Sequence, residues 1–294
     1  MAHEDEDGSR MFAEDCPSLD LPIFEEATES AFHTRNDPHQ PFERENVIER
    51  KGRVDVRCEM KDIAHGYYSN DNDAPCSLLV LEFRFAPNGI AHRIKEAHVV
   101  VKFAAMQKGQ ADPEVSAMYP EGDFCLEATH QREERVRGAG LNVGGGFGLQ
   151  AGGDVRLEKT TERLATDTTR VRASIDLRGR NWGPKNSASF TFLENKTAKT
   201  GVVSSLQAAI LLKRRTMDQF KATVTMNVSA DTLSNVEAKF KSPKDDDIWF
   251  DPERKPTNRL RAYDVDNLGA VELKSLAHVT HRTFLADTVK HQAE

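Results

Sequence analysis

Apolar and polar residues take turns along several short stretches of this chain. Val54, Val56, Cys58 and Met60 alternate with Asp55, Arg57 and Glu59, the period of two expected of a strand with one face in a core. Leu79, Leu81, Phe83 and Phe85 repeat the pattern, as do Val171, Ala173, Ile175 and Leu177, and then Phe220, Ala222, Val224, Met226 and Val228. Ala97–Phe103 is rich in valine, and Phe190 with Phe192 marks a further strand. β-Branched and aromatic residues in segments this short predict strand rather than helix. The run Leu206–Leu212 is apolar with few breaks, which predicts a central strand covered on both faces.

Turn formers separate these stretches, among them Asn70–Asp73 with Pro75, and Pro87-Asn88-Gly89. Many short alternating strands between turns predict a mainly β protein, an antiparallel β-sandwich over about residues 47–250. Residues 1–46 hold Pro17, Pro22, Pro38 and Pro41 and little periodicity, so they read as a disordered acidic N-terminal tail. Residues 251–294 read as a C-terminal arm with a short helix.

Charge sharpens this division. Of the net −7, the segment 1–46 carries 13 acidic residues against three basic ones, which leaves the rest close to neutral. A near-neutral body argues against nucleic-acid binding, which concentrates basic residues on one face. Residues 1–30 lack the basic start and apolar run of a secretory signal, and no stretch reaches the ~18 apolar residues of a membrane helix. A cytoplasmic location is expected. Cys16, Cys58, Cys76 and Cys125, without a C-x-x-C pair, then read as reduced thiols, and the sequons at Asn195 and Asn227 as unused.

The segment 138–153 stands apart, with eight glycines in sixteen residues. Its apolar residues Leu141, Val143, Phe147, Leu149 and Ala151 all fall at odd positions. Eight glycines ordered in strands cost about 4–8 kcal/mol relative to alanine, so the segment is mobile or something offsets that cost. Four readings stay open. They are a flexible or bulged glycine-rich hairpin, a surface for close approach of a partner around Gly144, Gly145, Gly146 and Phe147, a phosphate cradle, and an amphipathic hairpin that enters a membrane on oligomerisation.

Motifs for chemistry are sparse. The nucleophile elbow G-x-S-x-G, the Walker phosphate loop and H-E-x-x-H do not occur, although catalytic groups can also be assembled from distant positions. Asp71 and Asp73 could meet Asp245, Asp246 and Asp247 as oxygen ligands for calcium, or both acidic stretches are solvated turns. His278 and His281 would share a face on a helix. Arg178, Arg180 and Trp182 place cations beside an aromatic in a turn, a candidate interaction surface or a solvated turn with the indole packed beneath the arginines.

Several stretches resemble a family of uncharacterised proteins from filamentous fungi: Ala91–Ala97, Arg178–Gly183, Leu193–Asn195 with Lys199–Val202, Ala209–Arg214, and Phe250–Pro252 with Pro256–Leu260. The resemblance spans about residues 50–290 and implies a non-secreted fungal protein with one continuous domain. It brings no activity, ligand or catalytic residue. The expectation is a non-enzymatic intracellular binding or interaction protein that uses no cofactor, with a protein or small ligand as partner and self-association open. Two alternatives are a membrane-inserting protein using residues 138–153 and an enzyme with a non-local site.

Overall fold

The computed structural model describes residues 34–51, 54–87, 93–138, 158–231 and 245–281. Their strands are β1 (Asn46–Arg50), β2 (Val54–Ser69), β3 (Asn72–Pro87), β4 (Arg93–Ala105), β5 (Glu114–Tyr119) and β6 (Gly122–Gly138). They continue with β7 (Glu158–Asp176), β8 (Ser187–Leu193), β9 (Ser205–Lys213), β10 (Phe220–Asp231), β11 (Ile248–Phe250) and β12 (His278–Thr280). One sheet has the order β11-β10-β4-β8-β7-β6. The other runs β1-β2-β3-β9-β12, with β5 also pairing β9. These strands pair antiparallel throughout. The sandwich expected from the alternation is the observed architecture.

The inward residues are those that the period of two selects. Val54, Val56, Cys58 and Met60 of β2 and Leu79, Leu81, Phe83 and Phe85 of β3 are buried in one cluster with Val99, Val101 and Phe103 of β4. Across the interface Phe83 meets Phe190 at 5.1 Å and Phe85 meets Phe192 at 4.8 Å between ring centroids. Phe220 and Phe250 stack at 4.6 Å. Aromatic pairs add roughly 0.5–1.5 kcal/mol each beyond the area they bury.

The second sheet is also covered on its outer side. Ala64, Leu78, Val80, Ala209 and Leu211 form a smaller cluster with Tyr263, Leu268 and Leu276 from the C-terminal segment. This is why Leu206–Leu212 is apolar at consecutive positions: Ala208, Ile210 and Leu212 face the main core, and Ala209 and Leu211 the outer one. The segment itself is irregular, with two 3₁₀ turns at Leu268–Ala270 and Leu273–Leu276 where a short helix was expected. It ends in β12, which joins the sheet beside β9.

Two devices fix the segment in place. The register of β2 slips between Met60 and Asp62, a bulge that reverses which positions face inward. Ile63 then belongs to the main core while Asp62 and Ala64 lie on the other side. The Asp62 carboxylate is fully buried and accepts hydrogen bonds from Thr257 Oγ1 (2.5 Å), Arg259 N (2.8 Å), Leu260 N (3.1 Å) and Tyr263 OH (2.6 Å). Four neutral donors hydrate it in place of water. Five residues along β2, Tyr67 N donates to Val265 O at 2.7 Å. The adjoining Gly66 is required there, because a Cβ at that position would lie 1.9 Å from Val265 O.

Residues 34–46, expected to belong to the tail, are packed chain. Residues 34–45 cross the side of the sandwich between β1 and β11: Glu43 N donates to Trp249 O, Met60 N to Glu45 O, and the Phe42 ring packs on Trp249. Residues 1–33 lie outside the described residues.

Candidate functional site

The long pair β6–β7 is the part of the fold that the core does not explain. β8 pairs only Arg170–Asp176 of β7. From Thr169 back to Glu158, β7 has β6 as its one strand neighbour among the described residues, in a register that runs to Gly138↔Glu158. This two-stranded ribbon extends about 40 Å beyond the last rung of β8, at ~3.3 Å per residue. The glycine-rich residues 139–153, including Gly144, Gly145, Gly146 and Phe147, lie outside the described residues. Chain connectivity puts them between the far ends of β6 and β7.

The root of the ribbon is held by polar contacts. Register slips in β6 between Leu126 and Thr129. Asp167 accepts from Thr197 N (2.9 Å) through Oδ2, and its carbonyl accepts from Asn195 Nδ2 (3.1 Å). Asn195 Oδ1 in turn accepts from Ala198 N (2.9 Å). Asn195 is 1% exposed, so the residue that reads as an unused sequon is a buttress between the β8–β9 loop and the ribbon. On the other side Thr169, fully buried, meets His281 Nε2 at 3.1 Å. Beside this root the open edge of the sandwich leaves a cavity of about 300 Å³ between β6 and β7 on one sheet and β9 and β12 on the other.

The other candidates fare differently. Arg178, Arg180 and Trp182 do share the turn after β7, at the opposite end of that strand from the ribbon. Both guanidiniums are engaged: Arg178 with Ser189 Oγ (3.2 Å) and Asp176 (3.8 Å), Arg180 with Asp112 (3.1 Å) and Pro184 O. Trp182 is 80% exposed, so the indole is not packed beneath them.

The two acidic stretches are not brought together. Asp71 is exposed at the β2–β3 turn, and the Asp73 side chain lies outside the described residues. Asp245, by contrast, pairs with Arg50 (2.7 Å) at the end of β1, beside the start of β2, so nearly the whole of β2 separates the two. Asp245 and Asp246 accept from Thr34 N and Asn36 N, and Asp247 pairs with Lys221 (2.8 Å). Burial alone would raise the Asp247 carboxyl, but hydrogen bonds from Lys221 and Thr223 and nearby cationic charge hold it below the usual range. Arg50 and Lys221 thus pair with the carboxylates of Asp245 and Asp247. Among the described residues no cluster of three or more His, Cys, Asp or Glu could hold a metal. His278 and His281 lie on and just after a strand, not on a helix.

One buried constellation has the composition of a hydrolytic triad. His65 Nδ1 lies 2.7 Å from Ser77 Oγ, and its Nε2 is 3.0 Å from Glu43 Oε1. Glu43 can only accept, so Nε2 carries the proton and Ser77 donates to Nδ1. Ser77 is fully buried and β9 covers its strand, so no substrate carbonyl reaches it. Burial pulls the His65 imidazole below its ordinary value against the opposing pull of Glu43. Burial likewise lowers neighbouring Arg214 to about 10 and raises the Cys76 thiol to about 11. Cys58 is pushed up further by the same cause, so neither thiol is an activated nucleophile.

No protein-family model matches the chain, and no curated protein matches its sequence. Among solved structures, the Clostridium perfringens NetB toxin in its membrane-inserted form superposes with a TM-score of 0.27 at 10% identity, over 60% of this chain and 78% of that one. The Clostridium perfringens delta-toxin gives 0.25 at 9% identity, over 71% and 92%. TM-scores this low carry no weight for function.

Proposed function

We propose that the chain is a membrane-inserting protein that self-associates through the β6–β7 ribbon and delivers residues 138–153 to the bilayer. The observation that carries this reading is the one-sided pairing of β7 from Glu158 to Thr169. Among the described residues no strand pairs with either long edge of the ribbon, which makes these edges a template for strands of neighbouring copies. Strands cross hydrocarbon only when such edges are closed into a barrel.

The sequence at the far end fits that task. Residues 138–153 carry no charge, and their apolar residues alternate with glycine, asparagine and glutamine. Folded in two they supply about eight residues per strand, close to the ~9–11 of a tilted membrane strand.

The test is release of a trapped dye from phosphatidylcholine–phosphatidylserine vesicles, with flotation of bound protein, in the presence and absence of calcium. Calcium-independent release and flotation are expected, and deletion of 139–153 abolishes release without altering the melting temperature. Protein that stays at the bottom of the gradient in both conditions ends the proposal.

A second reading rests on Trp182. An indole 80% exposed beside Arg178 and Arg180 has the composition of a protein-docking hot spot. Under it, Trp182→Ala abolishes capture of a partner that wild-type protein retains. A variant that keeps every partner of the wild type removes this reading.

A further inference from the structure

The cavity beside the ribbon root has a chemistry of its own. Phe124 and Leu126 of β6, Val171 of β7 and Leu206 of β9 form its apolar wall, and Ala277 and Val279 close it from the C-terminal segment. Its volume of about 300 Å³ is at the lower end of small-molecule sites. Val171 and Leu206 are at most 2% exposed while Val279 is 38% exposed, so the apolar lining continues from the sandwich interior to the surface.

Besides the half-buried Tyr119, the polar side chains of the lining are those of Lys274 and His278. Lys274 and His278 are both exposed. Among the described residues no carboxylate lines the cavity, and none is paired with Lys274. An apolar slot with one unneutralised ammonium at its rim matches an alkyl tail that ends in a single negative charge. Burial of each methylene contributes roughly 0.8 kcal/mol, and the solvated ammonium adds a smaller, orienting term.

We infer that this cavity binds a single-chain fatty-acyl carboxylate, with the alkyl chain between the sheets and the carboxylate at Lys274. The site stands apart from the membrane reading, since a vesicle-inactive chain could still bind a free fatty acid.

The experiment is displacement of 11-dansylaminoundecanoic acid from the full chain by dodecanoate and by dodecanol. Dodecanoate displaces the probe saturably, at about fivefold lower concentration than the alcohol, the advantage of one exposed charge pair. Lys274→Met removes that difference and leaves alcohol binding unchanged. Ala277→Phe, or Val279→Trp as the second filling variant, abolishes displacement by both while the melting temperature is retained. Absence of saturable probe binding overturns the inference. So does unchanged binding in both folded filling variants, or an undiminished preference for the acid in Lys274→Met.

Discussion

Strand β4 (RIKEAHVVVKFAA) and the outer half of β7 (EKTTERLATDTT) differ in composition and live under opposite conditions. β4 lies between β10 and β8, and its residues Glu96–Lys102 are paired on both sides. Below them Val99, Val101 and Phe103 are fully buried. From Glu158 to Thr169, β7 has a strand partner on one side only among the described residues. A two-stranded ribbon is marginally stable in water by itself, so the contacts that position it are those at its root: Asp167 with the 195–198 loop and Thr169 with His281. Core burial decides the shape of one region. In the other, a few hydrogen bonds decide direction, and no further strand among the described residues pairs with the edges.

The largest effect that separates the two lies in the inner core. Phe83→Ala should cost about 3–5 kcal/mol, read as a lowered urea midpoint, whereas deletion of 139–153 should leave that midpoint in place. Equal losses would mean that ribbon and body form one cooperative unit. Next comes the polar latch of the outer face. Asp62→Ala removes the acceptor of four donors, the buried Tyr263 hydroxyl among them, and should cost about 2–4 kcal/mol, with proteolysis appearing first between residues 257 and 276.

A pH effect follows in size. Because burial holds His65 below its ordinary value of about 6.5, the unfolded chain takes up the proton first. Stability is therefore complete above about pH 6.5 and falls as pH drops from there towards the folded value, by at most ~1.4 kcal/mol per unit. His65→Gln should flatten that slope in denaturation curves between pH 5 and 7. Smallest is Asp167→Ala, about 1 kcal/mol, which should raise hydrogen exchange at 195–201 and spare β4.

Alternation was legible wherever a strand has one dry face, as in Val54–Met60 and Phe220–Val228. It stops being legible at the bulge after Met60, where the inward phase reverses, and β2 runs on to Ser69 through Asp62 and His65. Those two polar residues are buried because their partners, Tyr263 and Glu43, arrive from distant chain, and no local pattern encodes such a meeting. β5 and β6 carry too little alternation to be read. The acidic triplet 245–247 misled for a related reason: its cations, Arg50, Arg44 and Lys221, are remote in sequence. The cavity was invisible, being built from five strands (β5, β6, β7, β9 and β12) and the last 3₁₀ turn.

The latch at Asp62 also sets an order on biosynthesis. β2 and β3 leave the ribosome long before residues 257–276, so the nascent sheet waits with Leu78 and Val80 wet and a carboxylate whose four donors are still untranslated. A chaperone that shields apolar strands has its work on that face, and a message cut short before codon 263 yields a product that cannot seal it.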